Sequence, residues 1–374
     1  MEKDDFFLSN GCLKIIEAEH ENEIEPIYII IKDKELVVGI IYAQIFKLNS
    51  YKIKDYINHS KPGFNLIRKL KMQLAELINI KVCFLGNLFL TNEIAFRFHP
   101  DYQDKIVLQD ILNQVQTESQ TRLVMIPEAF DNHINLLEKK FKQILVEPDM
   151  HLNISEDWNT FDDYIAAINS KYKKRYRKII AKCATITKKE LSLSDLKHYS
   201  KDLKSLFDKV YYKSSFNSAK FNTDVFYDLK LIDEKVSVFG YFIQDKMIGF
   251  SSYIRVKKTL YAHFVGLDYE LSKKYDLYSK MLFEQIQFAI ENQIDLIKFG
   301  RTASEFKSNF GAVAQSNKGF VYDQGGVLLC FLNPLLKLLK PKDWIQRNPF
   351  KEVHGKQTIT PSESATSQES KVPH

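Results

Sequence analysis

The feature that most constrains the fold of this chain is a pattern that occurs twice along it. Residues 27–46 and 236–256 each contain a β-rich run, a short polar turn, a glycine and a second β-rich run. The two turns occupy residues 32–34 and 244–246. Apolar runs on either side of a short polar turn predict a β-hairpin. The repetition therefore predicts two similar units within the 374 residues.

The elements predicted after each hairpin support one fold for both units. Residues 277–293 place apolar side chains at spacings of three to four, which predicts a helix. Each hairpin is thus followed by strands and helices in a similar order, and the fold class predicted is α/β (α+β), with two tandem domains. Each domain is expected to hold a mixed, mostly antiparallel sheet flanked by helices. The further predicted elements are strands at 81–88, 121–130, 259–267 and 294–300 and helices at 64–77 and 105–117.

The domain boundary is predicted in residues 146–158, where Pro148 and a polar cluster interrupt the periodicity. We assign residues 1–150 to the N-terminal domain and residues 151–345 to the C-terminal domain. The tail at 351–374 is rich in serine, threonine, glutamine and glutamate, has little to bury, and is predicted to be disordered.

The cysteines, the apolar segments and the short motifs of the sequence exclude several classes of protein. Four scattered cysteines without a paired spacing argue against a disulfide framework or a zinc site, and favour a reducing cytoplasm. The apolar run at 327–339 is too short to span a bilayer and is interrupted by Lys337, so a soluble protein or one peripheral to the inner face of the membrane is expected. No metal-ligand spacing, phosphate-binding glycine loop or nucleophile elbow is present.

Several motifs of the second half resemble those of one known family. They are the basic helix at 171–183, the hairpin GYFIQDKMIGF, the strand and turn HFVGLDYE, and the strand and loop IKFGRTASEFKSNFGA. Residues 158–313 resemble the GNAT-type acyltransferase domain of the bacterial Fem/BioF-like group, whose members often carry two such domains. The first half matches only in the order of its elements.

This resemblance implies an N-acyltransferase with two GNAT-like domains, the first of them degenerate. The acyl donor is expected where two central strands separate, with an amine acceptor attacking its carbonyl group. Acyl-CoA or an acyl carrier protein thioester is then the co-substrate, and no permanently bound cofactor, metal or DNA is expected. The acceptor is expected to be a lipid, a cell-wall component or a small metabolite. Contact with tRNA is expected only in the alternative described below.

One stretch departs from the family pattern. Typical acetyl-CoA-binding members carry a glycine-rich turn whose backbone N–H groups hold the pyrophosphate. Residues 270–277 contain no glycine, although Lys273 and Lys274 offer positive charge to a phosphate. With Gly266 and Tyr278, these two lysines form the expected donor-binding set. Ordinary acetyl-CoA is therefore not the expected donor, and long-chain acyl groups, an acyl carrier protein or aminoacyl-tRNA remain open.

His263 is a candidate catalytic residue on the predicted strand at 259–267. Alternation along a strand puts it on one face with Tyr261 and Val265. An imidazole titrates near neutral pH and is suited to accept the proton of an ammonium group, directly or through water. The alternative is a half-buried structural histidine in a sheet.

A dense polar segment, residues 299–309, follows directly from the last predicted strand, where α/β sheets often place ligands. Arg301 is predicted to pair with a phosphate or carboxylate, and Glu305 to act as a base or to orient the acceptor. Lys307 is predicted to neutralise an anionic group. The alternative is a capped turn that opens a short helix. The remaining predicted substrate-binding residues are Asn309, Asp268, Tyr269 and Arg175.

Residues 171–189 contain nine lysines and arginines and no acidic residue. On a helix, five of them share one face. Such a run is either a solvated surface or a contact for an anionic partner such as a lipid surface, tRNA or a cell-wall precursor.

Three hypotheses follow. The first is an N-acyltransferase that uses a thioester donor. The second is a Fem-like aminoacyltransferase that uses aminoacyl-tRNA and extends peptidoglycan, although the long heptad-bearing arm common in such enzymes is not evident. The third is a non-catalytic binding module. All enzymatic versions require His263 and the polar segment after the last strand to converge on one pocket.

Overall fold

A computed structural model describes residues 6–49, 79–89, 96–105, 108–121, 123–133, 140–213, 219–315, 318–325, 329 and 343–351. These residues form two seven-stranded sheets flanked by helices. Each sheet is antiparallel except for one parallel pair. The predicted mixed α/β class with two tandem units is confirmed.

The strands are numbered in chain order. Those of the first half are β1 (Glu25–Asp33), β2 (Leu36–Asn49), β3 (Asn79–Phe84), β4 (Phe96–Phe98), β5 (Leu123–Pro127), β6 (Phe141–Leu145) and β7 (Met150–Asn153). Those of the second half are β8 (Ile186–Glu190), β9 (Val236–Ile243), β10 (Lys246–Val256), β11 (Thr259–Leu267), β12 (Leu296–Lys298), β13 (Val313–Ala314) and β14 (Lys318–Tyr322).

The helices are likewise numbered in chain order. Their bounds are α1 (Asn10–Glu19), α2 (Leu108–Ser119), α3 (Phe161–Ala167), α4 (Ser170–Lys182), α5 (Leu193–His198), α6 (Ser200–Lys213), α7 (Val225–Ile232), α8 (Tyr269–Tyr275), α9 (Leu277–Glu291) and α10 (Ser304–Ser308). Short 3-10 helices lie at Phe6–Leu8, Pro100–Lys105 and Glu128–His133.

The two predicted hairpins are β1–β2 and β9–β10, and both are antiparallel. Their turns place Lys34 and Gln244 in the left-handed region, with φ of 54° and 52°. Positive φ is uncommon for residues other than glycine, and at these two positions the tight connection between paired strands requires it. The local sequence pattern therefore defines both hairpins.

One strand of the first sheet comes from the second half of the chain. The first sheet runs β1-β2-β3-β5-β14-β6, with β4 on β2, and the second runs β13-β7-β12-β11-β10-β9-β8. Strand β14 follows β13 in the second half of the chain and lies between β5 and β6. Strand β7 comes from the connection between the halves and lies between β12 and β13. The first sheet is thus held by hydrogen bonds to a strand that the second half of the chain delivers.

The second sheet is covered on both faces. Helices α3, α4 and α9 pack on one face, around the buried side chains of Tyr164, Leu282 and Ile286. Helices α5, α6 and α7 cover the other face, together with the N-terminal residues Phe7 and Ile16. Helix α1 contacts α7, so the N-terminal helix packs against the second sheet.

A buried histidine fixes this N-terminal helix. His20 is 2% exposed, and its Nδ1 lies 2.7 Å from the carbonyl oxygen of Ile16. Its Nε2 accepts the backbone N–H of Asn222 at 2.8 Å. A neutral imidazole satisfies both contacts, and burial lowers its pKa accordingly.

Three predictions fall outside the described residues: the helix at 64–77, the apolar run at 327–339 apart from Leu329, and the tail beyond Lys351. Within the part of the chain that is described, no helix is both long and apolar enough to cross a bilayer.

The packing of α1 makes a testable prediction. Ile16→Ala should lower the free energy of unfolding of the second sheet by about 2–5 kcal/mol, because it opens a cavity in a buried cluster. Trp158 and Trp344 both pack against the core of that sheet, so tryptophan fluorescence during urea unfolding reports its stability. The matched control is Ile30→Ala, since Ile30 is 58% exposed. Equal midpoints for the two variants would contradict the packing described.

Candidate functional site

The candidate site lies where β11 and β12 separate. These parallel strands pair only from Thr259 to Tyr261 against Leu296 to Lys298. Beyond this point β12 stays paired with β7, as the backbone of Phe299 and Gly300 continues to bond Met150. One edge of β11 therefore opens onto a cavity of about 340 Å³ instead of onto a strand.

The cavity reaches helices on both faces of the second sheet and a loop of the first half. Its walls are mostly apolar, with a few polar groups, as ligand pockets usually are. The lining residues are Leu88, Phe89, Phe207, Val210, Tyr211, Ala219, Phe221, Ala262, His263, Phe264, Val265, Tyr278, Leu282, Gln285, Phe299, Gly300, Arg301, Thr302 and Lys307.

A β-bulge shapes the wall formed by β11. The register of β10 against β11 shifts between Ser251 and Tyr253, so that Ser252 faces both His263 and Phe264. The hydroxyl of Ser252 is fully buried, accepts the N–H of Phe264 at 2.9 Å and donates to its carbonyl oxygen at 3.2 Å. Bulges kink a strand and redirect its side chains, often beside active sites. Here the bulge lies where β11 leaves β12.

His263 lies in the cavity wall among aromatic rings. Phe221, Phe226 and Phe264 surround the imidazole, with ring centroids 4.3–6.1 Å away. Burial lowers the pKa of His263 to about 3, against a small opposing effect of the Phe89 backbone. The imidazole is therefore neutral at pH 7. It is suited to hydrogen bonding, but it is too weak a base to hold the proton of an ammonium group.

The loop after β12 is held by the buried ammonium group of Lys307. This side chain is 4% exposed and donates to the carbonyl oxygens of Phe299, Gly300 and Arg301 at 2.8, 2.9 and 2.8 Å. The chain then passes through left-handed conformations at Thr302 and Ala303 before α10 begins. Because all three N–H groups of Lys307 are engaged, the predicted contact with an anionic ligand is replaced by a structural contact.

The charge of Lys307 is balanced by nearby acids. Burial lowers its pKa to about 7, while Asp149 and Glu147 act to raise it. The three carbonyl contacts also favour the charged form. Asp149 is itself 1% exposed, and its carboxylate lies 3.2 Å from Nε2 of His151.

Arg301 lies in the cavity wall as predicted. Burial lowers its pKa, and the acids Asp149, Glu128 and Glu147 oppose this effect. An arginine keeps its charge under such conditions. Glu128 and Glu147 belong to the first half of the chain, so Arg301 faces the junction between the two halves.

Glu305 and Asn309 are not among the cavity-lining residues. The carboxylate of Glu305 is half-exposed and pairs with the guanidinium of Arg347, which lowers its pKa. The amide of Asn309 donates to the carbonyl oxygens of Glu305 and Phe306 and closes α10. Both side chains point away because the short helix α10 turns only one side, that of Lys307, towards the loop. A role of Glu305 as catalytic base is therefore not supported by its position.

Four other residues that were predicted to bind the substrate or the donor make structural contacts instead. Asp268 caps α8 by accepting the N–H of Leu271, and it pairs with Lys209 at 2.8 Å. The ring of Tyr269 lies 3.6 Å from the ammonium group of Lys213. At Gly266 a side chain would collide with the ring of Phe250 and the backbone of α6, so packing alone requires glycine there. Arg175 stacks over the rings of Phe306 and Phe310.

Three of the donor-binding candidates lie around the junction of α8 and α9. Tyr278 lines the cavity and stacks on Phe306. Lys273 and Lys274 are exposed in the last turn of α8. This helix ends at Asp276, which has φ of 57° and pairs with Lys182 of α4. A short helix thus takes the place expected for a glycine-rich turn.

Sequence reasoning did not find the cavity residues contributed by other elements. Phe207 and Tyr211 come from α6, Gln285 from the middle of α9, and Leu88 and Phe89 from the loop after β3. Nothing in the sequence distinguishes Phe207, Tyr211, Gln285 or Leu88 from the other residues of the same helices and loop. Phe89 reaches the cavity because it stacks on His20, with ring centroids 4.0 Å apart.

Comparison with known proteins places this geometry in a family. Residues 206–308, which include α6, the separating strands and α10, match the family described as an acetyltransferase (GNAT) domain. The second half of the chain contains a GNAT-type domain. This confirms the prediction of the GNAT superfamily. Among curated proteins, none matches the sequence.

Solved structures resemble this chain in fold over most of its length. The crystal structure of FemX covers 88% of this chain and 94% of its own, with 10% identity and a TM-score of 0.52. The structure of L-PGS from Bacillus licheniformis covers 87% and 96%, with 8% identity and a TM-score of 0.51. At such low identity the similarity concerns the fold, and it agrees with the predicted Fem-like tandem arrangement.

The buried ammonium of Lys307 makes the stability depend on pH. Its folded pKa of about 7 lies below its ordinary value of 10.5, so the unfolded chain binds more protons between these values. The wild-type free energy of unfolding should therefore rise relative to that of Lys307→Met as the pH increases from 7 to 10. The slope should approach about 1.4 kcal/mol per pH unit.

Urea unfolding of both proteins at several pH values measures this slope. The difference between wild type and variant at any single pH also contains the loss of three hydrogen bonds, so the slope is the quantity that decides. Lys171→Met, at an exposed lysine of α4, serves as the control and should show no such slope. A flat difference for Lys307→Met would show that the ammonium group is not destabilised by burial.

Proposed function

We propose that this protein is an N-acyltransferase that moves an acyl group from a thioester donor to an amine, with the cavity between β11 and β12 as its reaction chamber. The donor is an acyl-CoA or an acyl carrier protein thioester. The acceptor is an amine of a lipid, a cell-wall component or a small metabolite. The observation that carries the proposal is the separation of the parallel strands β11 and β12 into a cavity that His263 and Arg301 both line.

The unpaired edge of β11 supports the placement of the donor. Backbone groups beyond Tyr261 on this edge have no strand partner in β12 and are available to an extended ligand, as in recognition by strand addition. Tyr278 and Leu282 of α9 form the adjoining wall. Because α8 replaces a glycine-rich turn, the donor's phosphates would meet Lys273 and Lys274 as side chains.

In the proposed reaction, the amine nitrogen attacks the acyl carbonyl carbon, the bond between carbon and sulfur breaks, and an amide and a thiol result. Charge develops on the carbonyl oxygen, and in this proposal the guanidinium of Arg301, which lines the cavity, stabilises it. The amine enters in its neutral form, since His263 is too weakly basic to deprotonate an ammonium group. The proton lost by nitrogen leaves with the thiol.

The aromatic part of the cavity wall suits the acceptor. Phe207 and Tyr211 of α6, Phe221, and Phe89 from the first half line it. Aromatic walls favour an acceptor with apolar surface next to its amine. An amine bound against this wall would meet the acyl carbonyl group in the cavity that Arg301 also lines.

An aminoacyl-tRNA donor is the second candidate. The likeness in fold to FemX over most of both chains favours it, together with the basic helix α4, in which Lys171, Lys174, Arg177 and Lys178 are exposed. A peptidoglycan precursor would then be the acceptor. In this alternative the reaction takes place in the same cavity, and a ribose hydroxyl of the tRNA replaces the thiol as leaving group.

Turnover assays test the proposal. The purified protein is incubated with acyl-CoA, acyl carrier protein thioesters or aminoacyl-tRNA and candidate amines, and release of thiol or tRNA is measured. Arg301→Ala should reduce turnover by about 10²–10³-fold, the cost of removing one group that stabilises the transition state. Glu305→Gln is the matched control on the same loop and should change the rate less than about threefold, because Glu305 is not among the cavity-lining residues.

Circular dichroism of each variant checks that the fold is retained. Release of tRNA but not of thiol would favour the second candidate. An absence of turnover with every donor would favour a non-catalytic binding module instead.

A further inference from the structure

The exposed side of α4 carries positive charge that the described part of the protein does not neutralise. Helix α4 contains seven lysines and arginines and no acidic residue. Among the described residues, only Lys182 of these seven forms an ion pair, with Asp276. Elsewhere in the same half lysines do pair with acids, for example Lys189 with Asp195 at 2.7 Å. The cations that are exposed without such a pair are Lys171, Lys174, Arg177 and Lys178, and we call them the basic face of α4.

A further cation lies beside the start of this helix. The backbone N–H of Lys351 donates to the carbonyl oxygen of Ala167 at 3.1 Å, and the side chain of Lys351 is exposed. Partial burial and the like charges of Lys351 and Arg177 lower the pKa of Lys173. Cations that lie together in this way repel each other, and a negatively charged surface placed against them would relieve the repulsion.

Helix α4 lies close to the cavity. The guanidinium of Arg175 lies 5.3 Å from the ring centroid of Phe306, and the ring of Phe306 stacks on that of Tyr278 with centroids 5.3 Å apart. Tyr278 lines the cavity. One aromatic side chain therefore separates α4 from a residue of the cavity wall.

The start of α9 is poorly suited to the nucleotide end of CoA. In place of a turn whose backbone N–H groups could hold a pyrophosphate, α8 leads directly to Asp276. The carboxylate of Asp276 stands at the N-terminus of α9 and is paired with Lys182, so it repels further negative charge there. A carrier protein presents the same thioester arm with a single phosphate and without the nucleotide. This position therefore favours a protein-bound arm over CoA.

Resting on the proposed function, we propose that the basic face of α4 is the docking surface for an acidic acyl carrier protein, which delivers the acyl group to the cavity. Acidic side chains of the carrier pair with the exposed cations of α4, and its thioester arm enters the cavity that Tyr278 lines. The amine nitrogen attacks the thioester carbonyl carbon, and the bond between carbon and sulfur breaks. The thiol of the arm takes the proton that the nitrogen loses, and the carrier leaves with a free thiol.

RNA and a membrane fit the basic face less well. Recognition of single-stranded RNA commonly adds stacking on exposed aromatic rings, whereas Tyr172 is buried and Tyr176 packs against Phe283. A helix that lies on a membrane exposes a row of apolar residues, whereas Ile180 is the one large apolar residue of α4 that is exposed. A face that is charged but has little apolar surface suits a transient contact with an acidic protein.

The test compares one acyl group, hexanoyl, on three thiols: a purified bacterial acyl carrier protein, CoA and pantetheine. Wild type should use the carrier thioester with a kcat/KM about 10–100-fold above that for the CoA thioester, because charge complementarity speeds the encounter. In the double variant Lys174→Glu with Lys178→Glu, the KM for the carrier thioester should rise about tenfold. Turnover of the pantetheine thioester should stay unchanged, since this donor has no protein to dock. Lys201→Glu with Lys204→Glu, at exposed lysines of α6, is the control with the same change in net charge and should keep the wild-type KM.

The same KM for the carrier thioester in wild type and in the α4 variant would overturn the docking surface, and so would equal effects of the two double variants. Either result leaves the acyltransferase proposal standing. If no thioester is turned over, that proposal fails, and calorimetric binding of the hexanoyl carrier protein decides the docking surface separately. Binding that the α4 variant loses and the α6 variant keeps supports it, and no binding to wild type overturns it. Turnover of aminoacyl-tRNA alone, or loss in the α4 variant of binding to phosphatidylglycerol vesicles without any binding of the carrier, would assign the face to RNA or to lipid and overturn the proposal.

Discussion

The end of one parallel strand pair controls the geometry of the whole site. The pairing of β11 with β12 ends at Tyr261 and Lys298, and two sets of hydrogen bonds lie at this point. On one side, the buried hydroxyl of Ser252 stabilises a bulge in β11. On the other, the ammonium group of Lys307 collects three carbonyl oxygens as the chain leaves β12. Both contacts lie where the ladder of hydrogen bonds between the two strands ends.

The position of β14 explains how the first half is held next to this cavity. Because β14 lies between β5 and β6, the two halves are joined by backbone hydrogen bonds and not only by a side-chain interface. Helix α1 adds a further contact between the halves, since the backbone N–H of Asn222 donates to the imidazole of His20, the residue that follows this helix. Phe89 can therefore form a fixed wall beside His263, and Glu128 can lie near Arg301.

Sequence patterns predicted what depends on neighbours along the chain. The hairpins, the helix at α9 and the polar segment after β12 all follow from local periodicity, and the convergence of His263 with Arg301 follows from the strand order that those elements imply. The position of β14 between β5 and β6 and the pairing of Glu305 with Arg347 depend on contacts between distant segments. The triple contact of Lys307 was missed for another reason, since a lysine beside an arginine and a glutamate looks like a binding residue until its acceptors are known.

The aromatic setting of His263 has a consequence for the chemistry. A histidine in water titrates near neutral pH, but rings on three sides remove the solvent that would stabilise its charged form, so its pKa falls to about 3. The same exclusion of water strengthens any interaction between Arg301 and a developing negative charge. A chamber built in this way suits a reaction that stabilises an oxyanion and leaves the proton to the departing group. Basicity at His263 would require water in the cavity, and that water would weaken the charge stabilisation that Arg301 supplies.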